Sequence, residues 1–243
     1  DSRDNEKLFY YTTTGWMMWN WLVGGLATGS SIFLFDGSPT YPKIDILLEY
    51  CQNKEINLFG VSAKYIDHLK NEKFNSNHLD LTSIKIITST GSPLSEESFK
   101  YVYENIKKDV HLASIAGGTD MVGCLVLGNL YSNVYKGEIQ GQSLAIDVDV
   151  FSDEGLSIQE GEKGELVVKQ PFPSMPVKFW GDESGEKYHK AYFTRFKNIW
   201  HHGDFIERTS NKGFIMRGRS DATLNPGGVR IGTSEIYQQV EDI

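Results

Sequence analysis

Ile84-Lys-Ile-Ile-Thr88, Gly91-Ser-Pro93, Ser95 to Lys107 and Val110 to Ile115 follow one another in a single span of the chain. The first and last runs are short and apolar, and read as strands. Between them Ser95, with Glu97 and Ser98 behind it, has the pattern that caps a helix N-terminus. Strand, loop, helix and strand in this order imply a βαβ crossover and a parallel sheet. The same alternation extends upstream. Ser31-Ile-Phe-Leu-Phe35 reads as a buried strand ended by Asp36-Gly37, residues 42 to 53 carry Ile44, Leu47, Leu48 and Cys51 at helical spacing, residues 56 to 61 are strand-like, and 64 to 70 are helical. Cys51, on that apolar helix face, reads as a small core residue.

From about Gly137 the pattern changes. Short strands at 145–151, 164–169 and 213–217 are separated by turns such as Asp153-Glu-Gly155 and Glu160-Gly161, and helix signals are sparse. This half is expected to be an antiparallel, barrel-like subdomain. The predicted organisation is therefore an α/β subdomain over 1–136, a β-barrel-like subdomain over 137–220, and a hinge with the start of a further domain over 221–243. The last boundary falls at Ser220-Asp221.

Composition excludes several classes. Lys and Arg number 24 against 32 Asp and Glu, a net charge of −8, and no basic stripe offsets it, which argues against a nucleic-acid partner. Two cysteines cannot build a disulfide framework, so a reducing, cytoplasmic setting is expected. The longest apolar run, Trp16 to Ala27, is interrupted by Asn20 and glycines and is too short for a membrane span. The chain opens at Asp1-Ser-Arg-Asp4 without an initiator Met and closes at Val240-Glu-Asp-Ile243, inside what reads as a helix from near Thr233. It is expected to be a piece of a longer protein.

Chemistry-bearing residues gather in three places. Gly91-Ser-Pro93 and Ala116-Gly-Gly-Thr-Asp120 each follow a proposed parallel strand, and loops at the carboxyl ends of such strands face a ligand crevice. Near the end of the chain come Trp200-His-His-Gly-Asp204, Gly218-Arg-Ser-Asp221 and Asn225-Pro-Gly-Gly-Val-Arg230. A carboxylate can accept hydrogen bonds from both hydroxyls of a ribose, and arginines fork onto phosphate oxygens. His201 and His202 are adjacent, point in different directions and have no third ligand at useful spacing, so they do not read as a metal site.

In this order and spacing the motifs resemble those of the adenylate-forming enzymes, the superfamily of acyl-CoA synthetases, luciferases and peptide-synthetase adenylation domains. The resemblance implies that Gly91, Ser92 and Pro93 lie against adenine, that Gly118 and Thr119 reach the α-phosphate, and that Asp120 lies near Mg2+. Asp120 stands where the family usually has glutamate, one methylene longer. By the same likeness Asp204 holds the ribose, Arg219 the ribose and phosphate, and Arg230 the α-phosphate side. Asp221 matches the hinge of the C-terminal domain, and Gly227 and Gly228 lie in the loop lining the CoA tunnel. Thr119, Asp120 and Arg219 are then the implied catalytic set.

Acyl choice is implied by Trp16, Met17 and Met18 on one pocket wall and by Gly117, where acetate-activating relatives carry tryptophan. Trp16 is drawn to the pocket by this likeness, while the Trp16, Trp19 and Trp21 cluster otherwise reads as core. Pro171-Phe-Pro-Ser-Met-Pro176 and Phe179-Trp-Gly-Asp182 are most similar to the acetoacetyl-CoA synthetases. The expected reaction uses ATP, Mg2+ and CoA to convert acetoacetate to its thioester through an acyl-adenylate. A propionate or medium-chain acyl-CoA synthetase would also tolerate Gly117, and a non-catalytic nucleotide-binding module would share the ribose residues. The family's phosphate-binding loop and adenylation lysine are expected outside this span, so the 243 residues alone should be close to inert.

Overall fold

The computed structural model describes residues 4–222, and two compact units emerge from it. The first takes the chain up to Ile115 together with Leu130–Gly137. Its centre is a five-stranded sheet built from β1 (Lys7–Tyr10), β2 (Ser31–Phe33), β3 (Leu58–Ser62), β4 (Ile86–Thr90) and β5 (His111–Ser114), in the order β2-β1-β3-β4-β5 with every pair parallel. Helices α1 (Met17–Gly24), α2 (Ile46–Lys54), α3 (Ala63–Asn71) and α4 (Glu96–Tyr101) make the successive crossovers, the last extended by a π-helical turn over Val102–Ile106. The βαβ reading of Ile84 to Ile115 thus holds, and Ser95 caps α4 by accepting from the Ser98 N–H at 3.2 Å.

Parallel strands lie between helices on both faces, so their apolar side chains are buried on both sides. Phe9 of β1 stacks on Phe59 of β3 with ring centroids 5.6 Å apart, and Leu47, Leu48 and Cys51 of α2 close over them. Cys51 is fully buried, as its place in the apolar pattern implied, and burial pushes its thiol well above the ordinary value. Two elements carry no clear sequence signal. β1 is only four residues long, and α1 holds two tryptophans, an asparagine and a valine and ends in glycine, all middling or poor helix formers.

Among the described residues, the second unit comprises Ala116–Asn129 and 138–222. Strands β6 (Ala116–Gly118), β7 (Gly123–Leu127) and β8 (Gly141–Gln142) form one antiparallel sheet. Strands β9 (Val148–Phe151), β10 (Lys163–Val168), β11 (Trp200–Arg208) and β12 (Phe214–Arg219) form another, in the order β12-β11-β10-β9. A two-bond bridge ties Ile139, beside β8, to Phe214 of β12 at 2.7 and 2.8 Å, linking the two sheets. Helix α5 (Glu186–Tyr192) packs its Tyr192 ring on Trp200 of β11, with centroids 3.7 Å apart.

The Ala116–Asp120 segment corrects the sequence reading. It is no loop at the end of a parallel strand: the chain leaves β5 and enters the β6–β7 hairpin directly, with Thr119–Val122 as its turn. The chain passes between these units at 115/116, 129/130 and 137/138.

Candidate active site

In the first unit, the segments following β1 and β4 both leave the parallel sheet at its carboxyl edge. β1 sits where strand order reverses, between β2 and β3, and open α/β sheets bind ligands at such a point. The segment after β1 leads through Thr12, Thr13, Thr14 and Gly15 to Trp16, the residue before α1. Trp16 has 58% of its surface exposed, which takes it out of the core expected for the tryptophan cluster. Met17 is buried and Met18 half-buried, the latter against the small cluster of Leu8, Tyr10 and Leu22. The segment after β4 carries Gly91, Ser92 and Pro93. Gly91 adopts φ +85°, a conformation other residues resist, and nothing lies within 4 Å of where its side chain would stand. The loop therefore presents an open backbone face, with Ser92 half-buried and Pro93 exposed.

In the second unit, neighbouring strands bring the closing motifs together. Asp204 of β11 pairs in register with Arg219 of β12. The Arg219 Nη1 donates to Asp204 Oδ1 and to the carbonyl oxygen of His202, both at 3.1 Å, while 54% of the Arg219 side chain remains exposed. Trp200 donates its indole N–H to His202 Nδ1 at 3.4 Å. An indole can only donate, so Nδ1 is the acceptor, and Nε2 faces Asp204 Oδ2 at 3.6 Å. Asp204 is nearly buried. Burial pushes its carboxyl above the ordinary value, while His202 and Arg219 pull the other way. Ala191, His202, Gly203 and Arg219 line a cleft of about 270 Å³ at this place.

The hairpin turn joins the same cluster. Asp120 Oδ2 accepts from the Tyr192 hydroxyl at 2.5 Å. Asp120 Oδ1 and His202 Cε1 come within 2.1 and 2.8 Å of the point where a Cβ of Gly118 would stand, so only the missing side chain of Gly118 lets them close in. Thr119 is exposed beside them, and Val122, a β-branched residue, is held at φ +48° in the same turn, a strained conformation of the kind found at functional sites. Burial and the bond to Asp120 push the Tyr192 phenol up.

Gly117 does not stand over open space. A Cβ there would lie 2.1 Å from the Gly123 carbonyl oxygen and 2.4 Å from Cys124 Cα, backbone atoms of the facing strand. Its glycine is required by the close approach of β6 to β7 at an irregularity of register, so a tryptophan at this position in this backbone would break the hairpin before filling any pocket.

A magnesium ion bound with a nucleotide takes most of its ligands from phosphates and water and needs one or two protein carboxylates. Asp120, exposed on the turn and steadied by Tyr192 through one oxygen, fits that requirement, and no three-residue metal cluster occurs among the described residues. Arg230, Gly227, Gly228, the Asn225-Pro226 segment and the helix expected near Thr233 lie outside the described residues. Asp221 follows β12 in a short 3₁₀ turn, Ser220–Ala222, with 82% of its side chain exposed. Sequence reasoning missed Tyr192, His202 as a partner of Asp204, and Glu165. Tyr192 lies 72 positions from Asp120, a separation that no local pattern signals.

The chain is similar to known proteins in sequence and in fold. A family model described as AMP-binding enzyme matches residues 4–175. Acetoacetyl-coenzyme A synthetase of Rhizobium meliloti (strain 1021) is 57% identical over 242 residues, 99% of this chain and 37% of that protein. Acetoacetyl-CoA synthetase of Gallus gallus is 49% identical over 240 residues, 98% of this chain and 36% of that protein. The solved acetoacetyl-CoA synthetase from Streptomyces lividans matches with a TM-score of 0.92 at 39% identity, covering 99% of this chain and 38% of that one. The chain thus spans little more than a third of the length of these relatives. Since the family model covers well over half of the chain, and the parallel and antiparallel sheets match a solved relative throughout, the chain belongs to the AMP-binding enzyme family.

Proposed function

We propose that this chain is the central part of an enzyme that joins acetoacetate to CoA at the expense of ATP. The observation carrying this reading is the likeness to acetoacetyl-CoA synthetases over nearly the whole chain. In the first half-reaction a carboxylate oxygen of acetoacetate attacks the α-phosphorus of ATP, forming the acyl-adenylate and releasing pyrophosphate. In the second, the CoA thiol sulfur attacks the acyl carbonyl, the C–O bond to phosphate breaks, and AMP leaves.

Asp204, as a carboxylate, accepts hydrogen bonds from the two ribose hydroxyls, and Arg219 extends its exposed guanidinium to the ribose and α-phosphate. His202 holds Asp204 in place. The Thr119 hydroxyl donates to an α-phosphate oxygen. Asp120 would hold Mg2+, which supplies positive charge against the developing charge on phosphorus. Gly91, Ser92 and Pro93 give the adenine a flat backbone face, and Trp16, Met17 and Met18 wall the acyl group. Arg230, on the α-phosphate side, and Gly227 and Gly228, beside CoA, complete the assignment. Free, buried Cys51 and Cys124 accord with a reducing compartment such as the cytoplasm. Among the described residues no helix is long and apolar enough to cross a membrane.

A substrate panel on the full-length protein tests the reading. Pyrophosphate release should be fastest with acetoacetate and much slower with acetate, propionate and medium-chain acids. A preference for propionate or a medium-chain acid would reassign the acyl group, and no release with any acid would leave a nucleotide-binding module.

A further inference from the structure

Glu165 is a charged residue with no place in the chemistry above, and it is fully buried. It lies on β10, whose Leu166 and Val168 enter the apolar core, so Glu165 points to the opposite face of the sheet. There it meets three donors from separate parts of the chain. Arg195 Nη1 lies 3.2 Å from Oε1, His201 Nε2 lies 2.8 Å from Oε2, and the Ser220 hydroxyl donates to Oε2. Arg195 is held in turn by Asp153 at 2.7 Å and lies over the Phe196 ring. A buried carboxylate without such partners would be strongly unfavourable, so this convergence fixes the position of each donor as firmly as it fixes Glu165.

The position of Ser220 gives the cluster its meaning. Arg219 is tied to Asp204 of β11, and the next residue, Ser220, is tied to Glu165 of β10. Two consecutive residues at the end of β12 are therefore moored to two different strands. One residue further on, the side chain of Asp221 is largely exposed. We infer that Glu165, acting through Ser220, is a positioning residue that fixes the stationary side of the pivot at Asp221, and so sets the rate of the thioester-forming half-reaction. This inference rests on the proposed function and on the pivot at Asp221.

The test uses the full-length enzyme with Ser220→Ala, Ser220→Thr and Glu165→Gln. Hydrogen exchange at residues 217–222 reads the mooring without reference to any substrate. It should quicken at least ten-fold in Ser220→Ala, stay near wild type in Ser220→Thr, and leave β10 unchanged in both. In kinetics, acetoacetate-dependent pyrophosphate exchange by Ser220→Ala should stay within about two-fold of wild type. Single-turnover transfer of the preformed adenylate to CoA should fall about ten-fold, and Ser220→Thr should restore it. Glu165→Gln should show the same split if it folds, and Ser220→Ala carries the test if it does not. Unchanged hydrogen exchange in Ser220→Ala, or equal losses in both half-reactions, would overturn the inference. Wild-type enzyme without acetoacetate-dependent exchange would instead refute the proposed function, while hydrogen exchange would still decide whether the mooring exists.

Discussion

Asp204 is asked to carry a negative charge where burial disfavours it. The opposing pull of Arg219 and His202 only partly offsets the desolvation, so its carboxyl titrates above the ordinary value. For folding, the sign follows directly: a raised carboxyl pKa stabilises the fold at low pH, and that contribution is lost as pH rises through the raised value. In the proposed function nucleotide binding runs the other way, because only the carboxylate would accept hydrogen bonds from both ribose hydroxyls. ATP affinity of the full-length enzyme should therefore fall on acidification at a higher pH than an ordinary aspartate would dictate, measured by calorimetry from about pH 7 to pH 4. Asp204→Ala should weaken ATP binding by roughly 1.5–3 kcal/mol, the range for hydrogen bonds to a charged group, and flatten this pH dependence. An unchanged dissociation constant would remove Asp204 from the ribose site. Asp204→Asn should bind ATP weakly too, yet unfold no more readily than wild type, since it relieves a buried charge.

At the scale of the element, the β6–β7 hairpin is tightly specified by glycine. Gly117 has backbone atoms where a side chain would go, whereas Gly141 on the neighbouring β8 has nothing within 4 Å. Gly117→Ala should destabilise the protein by about 1–3 kcal/mol, as overpacking does, and lower its thermal midpoint. Gly141→Ala should change stability by less than about 0.5 kcal/mol. Equal midpoints for the two variants would mean that β6 and β7 do not approach so closely. The same contrast explains what could be read in advance. Helix α4 was legible because its cap is local, Ser95 bonding three residues on. The core strands β3, β4 and β5 were legible as apolar runs. Strand β11 was not, because Trp200-His-His-Gly-Asp204 buries polar groups, and His201 and Asp204 find their partners in Glu165 and Arg219, 36 and 15 residues away. Glu165 was invisible for a related reason: a lone acid between Gly164 and Leu166 looks like the solvent face of an alternating strand, and its three donors lie 30, 36 and 55 residues away. The site residues proposed here were named from order and spacing along the chain, which the sequence does preserve.

At the scale of the molecule, the two half-reactions of the proposed function would make different demands on one site, so something would have to move between them. The described part of the second unit offers little freedom in its sheet, where β12 pairs with β11 across one register shift and is moored at Arg219 and, just beyond its end, at Ser220. Asp221 lies beyond both moorings, in a short 3₁₀ turn with its carboxylate 3.9 Å from Arg219 Nε and mostly in solvent. Such turns use φ near −50 to −70°, the value that a proline ring fixes. Asp221→Pro is thus compatible at its own position with the arrangement seen here and forbids any state that requires a different φ. Proline also drives the preceding residue out of the helical region, so the cost falls on Ser220, and thermal unfolding must accompany the kinetics. If the chain pivots at Asp221, the full-length Asp221→Pro enzyme should keep acetoacetate-dependent pyrophosphate exchange within several-fold of wild type. Its production of acetoacetyl-CoA should fall by at least a hundred-fold, a loss of about 2.7 kcal/mol or more in transition-state stabilisation. Loss of both activities with the fold intact would make Asp221 an ordinary structural residue. Retention of both would place the pivot elsewhere in the chain, and the mooring of Ser220 by Glu165 would then have no conformational step to control.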